Sequence, residues 1–524
     1  MSDGDDLVAR PTVGVAIRRA ARRFAGRDFI VMPGCRLTFD DAERMSRRLA
    51  AHLLATGIGK GTRVGLLFTY GPEFVVTWLA LSRIGALAMP VSTTYRPAEV
   101  RRVLHLGDVD TLVVPERLLG RDVLAELEAA VPGLAGAGPP PHFLSSLPYL
   151  RRVLVAGTGP RPGLSPWATP VDLADPAGPA VDEAVLAAAE DEVFPADWAL
   201  VVFTSGSSAE PKGVVHTHGA VIRDTASFAQ LTVDQAAAAG VEARPFCAFP
   251  FFWVGGFLCL GAALHGGFPL LCLERFDPGE ALDLIERERG TAVLGWPTLI
   301  SAMRDHPSFA TRDLASAPAL VSAPADVALV DTPVPGIPAH RGMSETMGQH
   351  QLVEERAVDP ESGAEVPEGE EGELAIRGPG LMAGYYKKER QDVFDAEGWF
   401  HTGDRVFMHG GRAYYVGRYT EMIKSQGANV SPREVELTLE EYPEVLHAFV
   451  VGLAHPERGE EVAAVLVPAD GATIDPGELT SRARGDMSSF KVPTRIEVWP
   501  VERIPWLPSH KPDKRKIQSE LAAR

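Results

Sequence analysis

The chain has 524 residues, too many for one ordinary hydrophobic core, so two or more domains are expected. Hydrophobic residues make up 45% and charged residues 23%, a normal balance for a soluble globular protein. A formal net charge of −18 argues against nucleic acid as a partner, because that surface needs a basic face.

The N-terminus, Met-Ser-Asp-Gly-Asp-Asp, is acidic and has no apolar stretch, so no signal peptide is expected. Next come segments of helical texture (41–55, 73–84) between apolar runs of strand type at 64–68, 111–114, 153–155, 199–203 and 292–294. That alternation predicts an α/β fold of mostly parallel sheets covered by helices. Residues 131–182 are rich in Pro, Gly and Ala and read as a surface excursion. Residues 245–273 contain no Asp, Glu, Lys or Arg and are long enough to span a bilayer. Pro250, Gly255, Gly256, Gly261, Gly266, Gly267 and Pro269 break that run into short pieces, so a buried strand, turn and helix is expected rather than a membrane span. From about Arg418 the texture changes to short strands at 446–453, 462–467 and 496–499 around helices, which predicts a small α+β domain. The expected division is 1–417 and 418–524. The four cysteines, Cys35, Cys247, Cys259 and Cys272, form no CxxC pair and read as buried, reduced thiols of a cytoplasmic protein.

The run 199–203 leads into Thr204-Ser-Gly-Ser-Ser-Ala-Glu-Pro-Lys-Gly213. Hydroxyls and a glycine crowd hydrogen-bond donors into one turn, and Lys212 adds a positive charge, a combination able to wrap a polyphosphate. It is not a Walker A loop, because no Gly-Lys-Ser/Thr follows at the required spacing.

This loop resembles the signature of the ANL superfamily of adenylate-forming enzymes, which includes acyl-CoA synthetases, peptide-synthetase adenylation domains and luciferases. Ser208 and Ala209 replace the usual Thr-Gly. Further blocks follow in the family's order: Gly85-Ala with Pro90, Gly342-Met-Ser-Glu-Thr346, Gly372-Glu-Leu with Arg377-Gly, Gly384-Tyr-Tyr, and Trp399-Phe-His-Thr-Gly-Asp404. Gly417-Arg418, Ile423-Lys424, Gly427 and Pro432-x-Glu434 resemble the interdomain hinge block, and Phe490-Lys-Val-Pro493 and Lys514 complete the series across residues 37 to 517.

The resemblance implies a large N-terminal domain and a small mobile C-terminal one. It implies ATP as substrate, Mg²⁺ held by Glu345, and catalysis by Lys514, Glu345, Thr204 and Lys212. The nucleotide would be bound by Ser205, Gly206, Ser207, Ser208, Ala323, Arg341, Gly342, Met343, Ser344, Asp404, Arg418 and Gly427, with Asp404 on the ribose. Lys514 would bridge acid, ribose and α-phosphate. Several residues depart from the pattern: Asp513 stands where Gly usually precedes the lysine, leaving Lys511 as the other candidate. Arg341 replaces an adenine-stacking aromatic, and Thr420 replaces the hinge Asp or Lys.

The acid pocket falls on Phe252, Trp253, Gly255 and Val321. Trp253 stands where the family often has His, and Val321 where it has Gly. Both are bulky, so a short or flat acid is expected rather than a fatty-acid chain. Three activities follow. The leading one joins a small acid to CoA through its AMP anhydride. The others load a separate carrier protein, or adenylate nitrite and diazotise an aryl amine. A second copy of the chain is kept open as a partner.

Overall fold

The computed structural model describes residues 5–157, 163–204, 211–322, 343–348, 352–418, 422–469, 471–505 and 512–523. Its backbone is mixed α/β. An eight-stranded sheet runs in the order Gly384–Tyr385, Lys212–Thr217, Trp198–Thr204, Leu87–Pro90, Arg63–Leu66, Thr111–Pro115, Arg152–Ala156, Ala168–Val171. Pairing is parallel from Trp198–Thr204 to the far edge and antiparallel at the Lys212–Thr217 end. A five-stranded sheet holds Ala292–Leu294, Pro245–Cys247, Leu270–Leu271, Asp28–Met32 and Cys35–Thr38.

The apolar runs follow from burial on both faces of the eight-stranded sheet. Leu200 and Val202 enter one core, which also takes Phe29 and Ile30 of the second sheet. Their neighbours Val201 and Phe203 enter another core with Leu112 and Val114. Helices Pro72–Arg83, His218–Ala238 and Val254–Gly266 fill the space between the two sheets.

The charge-free stretch resolves into strand Pro245–Cys247, helix Val254–Gly266 and strand Leu270–Leu271. No helix among the described residues is long and apolar enough to cross a membrane. Two expectations need correction. The Pro/Gly/Ala-rich stretch supplies strands Arg152–Ala156 and Ala168–Val171 to the sheet and buries Trp167 completely, so it is part of the fold. Cys35 is exposed; only Cys247, Cys259 and Cys272 are buried.

A four-stranded antiparallel sheet follows, Glu354–Val358, Glu371–Arg377, Phe400–His409 and Arg412–Arg418. From Ile423 the strands join a sheet of their own, with cores on both faces. Its long hairpin pairs Val445–His455 with Gly459–Pro468, and Arg495–Val498 lies parallel to the latter. Helices Pro432–Glu440, Pro476–Asp486 and Lys514–Ala522 cover it.

Candidate active site

Thr204 and Lys212 are cross-strand partners closing the antiparallel hairpin between Trp198–Thr204 and Lys212–Thr217. The phosphate-type loop is therefore the connection of a rigid hairpin, with its lysine fixed at the base. Ser205, Gly206, Ser207 and Ser208 lie outside the described residues, as do Ala323, Arg341, Gly342, Ala209, Thr420, Lys511 and the side chain of Arg418.

Beside this hairpin, strand Gly384–Tyr385 pairs with Val214 and Val215. That register sets Tyr385 next to Lys212, whose Nζ lies 5.0 Å from the centre of the Tyr385 ring. The Tyr385 hydroxyl donates to Glu345 Oε1 at 2.8 Å. Tyr385 thus gathers the lysine and the carboxylate, with its ring under the cation and its hydroxyl on the anion. The block Gly384-Tyr-Tyr marks this strand in the sequence, but only the sheet register brings Tyr385 to Glu345.

Glu345 sits in the short 3₁₀ turn Ser344–Thr346 and is half-buried. Its own carbonyl accepts from Met382 N at 2.8 Å. The Ser344 carbonyl lies 2.7 Å from His216 Nε2, on the hairpin strand below. Burial holds the His216 ring down to about 4, so it is neutral at physiological pH and donates from Nε2 to that carbonyl. Met343 points its side chain into the core with Val214, Phe394 and Phe400, so only its backbone can face a nucleotide.

Asp404 is 1% exposed on strand Phe400–His409, opposite Arg418 in register. Its backbone N–H donates to Thr402 Oγ1 at 3.0 Å.

Two of the residues expected at the acid pocket, Phe252 and Trp253, join Phe249 and Trp296 in an aromatic box. Trp253 caps helix Val254–Gly266 and meets Trp296 edge-on at 5.1 Å and 80°. Phe249 meets the same Trp296 at 5.2 Å and 85°, and Phe252 meets Trp253 at 5.5 Å. Trp296 was not singled out in the sequence, since only the fold places Gly-Trp-Pro opposite Trp253. Gly255 packs beneath the box: a Cβ there would lie 2.9 Å from the Phe249 ring, so packing alone requires glycine. Val321, on helix Pro318–Ser322, is 52% exposed. The box and the Glu345 turn share one helix, because a Cβ at Gly348 would lie 3.8 Å from Leu258.

The small domain enters here through the hairpin Ile423–Ser425 and Ala428–Val430, whose turn residues Gln426 and Gly427 both have positive φ. Gly427 rests on Trp296, where an added Cβ would come within 3.1 Å of the indole. Lys514 does not reach Glu345 in this arrangement. Its Nζ donates to Glu436 Oε1 at 2.5 Å, on helix Pro432–Glu440 of its own domain. Asp513 has a local reason to replace glycine: it N-caps helix Lys514–Ala522 and accepts from Lys516 N at 3.1 Å.

Comparison with known proteins gives the family. The chain matches the AMP-binding enzyme family over residues 17–349 and the AMP-binding enzyme C-terminal domain over 434–511. It is 32% identical to a feruloyl-CoA synthase of Amycolatopsis, across 93% of this chain and 94% of that protein. It is 28% identical to a putative acyl-CoA synthetase of Bacillus subtilis, across 93% of each. A solved amide bond synthetase from Marinactinospora thermotolerans superposes with a TM-score of 0.73 at 26% identity, covering 97% of this chain and 99% of that one. The protein belongs to the AMP-binding family within the ANL superfamily of adenylate-forming enzymes and is an AMP-forming ligase of the acyl-CoA synthetase type.

Proposed function

We propose that the protein joins a flat, aryl-type carboxylic acid to CoA in two half-reactions at one site. In the first, a carboxylate oxygen attacks the α-phosphorus of ATP, the bond to pyrophosphate breaks, and acyl-AMP forms. In the second, the CoA thiol attacks the acyl carbon and AMP leaves, giving the thioester. The observation that carries this reading is the gathering of Lys212 and Glu345 around Tyr385 at the base of the phosphate-type hairpin.

Neither half-reaction needs a covalent protein nucleophile. The protein holds the reactants in line and balances charge, and Lys212 supplies a fixed cation for the phosphates. Glu345 fits a Mg²⁺ carried in with ATP: it is a single half-exposed carboxylate, and Mg²⁺ keeps several waters and takes its other ligands from phosphate. When bound, the ion would neutralise charge on the leaving pyrophosphate. Asp404 would accept from the ribose hydroxyls.

The cluster of Trp253, Trp296 and Phe249 supports a flat acid, because bulky aromatic walls disfavour a long flexible chain and can stack on an aromatic ring. The relatives named for feruloyl and 4-coumaroyl chemistry point the same way. We assign the domain break to the segment between Arg418 and Ile423, where strands leave one sheet and enter another. In this state Lys514 is held by Glu436 and Gly427 lies on the box, an arrangement suited to the second half-reaction. The buried free thiols suit a cytoplasmic setting.

The test is AMP and pyrophosphate release against benzoate, cinnamate-type acids, palmitate and nitrite, each with CoA, a carrier protein or an aryl amine. Thioester formation from a cinnamate-type acid is expected. Turnover of palmitate above the aryl acids would overturn the acid class, and product only with an amine would overturn the acceptor.

A further inference from the structure

The face between the two domains carries a buried ion cluster that the adenylation chemistry does not use. Lys491, 4% exposed, donates from Nζ to Glu99 Oε1 at 2.7 Å and to Glu434 Oε1 at 2.9 Å. Glu99 belongs to helix Pro97–Leu106 of the large domain, and Glu434 to helix Pro432–Glu440 of the small one. Ser488 adds two more bonds across the same boundary, to Glu99 Oε2 at 2.7 Å and to the Thr94 carbonyl at 3.2 Å. Tyr95 closes the cluster, with its ring centre 5.5 Å from the ammonium.

Helix Pro432–Glu440 thus receives both lysines on neighbouring carboxylates. Glu434 holds Lys491, which reaches across to the large domain, and Glu436 holds Lys514 within the small one. Of these pairs, only the Lys491–Glu99 contact depends on how the two domains are oriented; the Lys514–Glu436 pair lies wholly within the small one.

We propose that Lys491 and Glu99 form an interdomain clamp that positions the small domain for the acceptor-consuming half-reaction and thereby sets the balance between adenylation and transfer. This rests on the two-step reading above. Burial alone would lower the Lys491 ammonium, but Glu434 and Glu99 outweigh it and raise it above the ordinary lysine value, so the clamp is charged across the physiological range. Glu99 also accepts from Arg96 N at 2.8 Å as the third residue of its helix, which ties the clamp to a rigid element. A contact made in only one of two domain orientations shifts their populations by its own free energy.

The decisive variant is Glu99→Gln. Glutamine keeps the helix cap, and Lys491 keeps Glu434, so no buried charge is orphaned. Two readouts are needed. The first is the distance between nitroxides on Ala129→Cys and Ser481→Cys, both exposed, in a Cys35→Ser background without substrate. The second is the rate of each half-reaction, by pyrophosphate exchange and by CoA addition to a synthetic acyl-adenylate. Glu99→Gln should move population away from the wild-type separation and slow transfer about tenfold, with adenylation unchanged or faster. An unchanged distance distribution, or an equal fall in both half-reactions, would overturn the clamp. The distance measurement needs neither acid nor CoA, so an error in the assigned substrates would leave it intact.

Discussion

Lys212 in the large domain and Lys514 in the small one are both expected to meet phosphate, and the fold treats them in opposite ways. Lys212 is built into a sheet: its backbone pairs with Thr204, and its ammonium lies over Tyr385, whose hydroxyl binds Glu345. Those three side chains stand together at one sheet edge. Lys514 opens a helix capped by Asp513 and is bound to Glu436, away from the cluster. On the two-step reading proposed above, the contrast separates a fixed electrostatic floor, which every step can use, from a cation that domain movement would deliver for one step only. Such an arrangement lets one site run two reactions whose charge needs differ.

Changes on the fixed side should affect every ATP-dependent turnover. Glu345→Gln is expected to cause the largest loss there, about 10²–10³ in adenylation rate, with a raised Mg²⁺ requirement. Wild-type rates across Mg²⁺ concentrations would remove Glu345 from the site. Tyr385→Phe keeps the ring under Lys212 but removes the bond to Glu345, so about a tenfold loss is expected, seen mainly in the Mg²⁺ dependence. Equal kinetics in the two proteins would show that the carboxylate needs no such support.

A smaller effect lies behind the site, at Asp224 on helix His218–Ala238. Its carboxylate is fully buried, and neither oxygen has a hydrogen-bond partner among the described residues. Burial, partly offset by Arg223, pushes it up to about 8. An unfolded aspartate titrates near 4. The folded state therefore retains the proton between about 4 and 8, and stability falls as pH rises through that window. Asp224→Asn should change stability little at pH 4 and stabilise the protein increasingly as pH rises to 8, by up to about 1.4 kcal/mol per pH unit. Thermal melts at the two pH values check this; a gain independent of pH would contradict it.

Much of the fixed side could be read from the chain. The Thr204-to-Lys212 loop, the Glu345 turn and the Asp404 strand are each local, so their residues stand together in the sequence. Strands and helices were legible for the same reason, since burial on both faces of a parallel sheet leaves continuous apolar runs. Trp296 and Glu436 carry no signal in the sequence, and Tyr385 and Lys491 stand in recognisable blocks that give them no role. Each gains its role from a partner on another strand, helix or domain, which the sequence does not show. Within the Pro/Gly-rich stretch the run at 153–155 is legible as a strand, whereas the edge strand Ala168–Val171 is not, because composition there reports turns more loudly than a short strand. Asp513, which broke the expected pattern, is explained by its helix cap.

The division between fixed and delivered cations is tested most directly with Lys514→Ala in two assays on the same preparation. One measures acyl-adenylate formation from acid and ATP; the other measures thioester formation from a synthetic acyl-adenylate and CoA. Loss of a preorganised cation should slow the first by about 10²–10³ and leave the second within about twofold of wild type. An equal loss in both would contradict a lysine that serves one half-reaction and is held by Glu436 during the other.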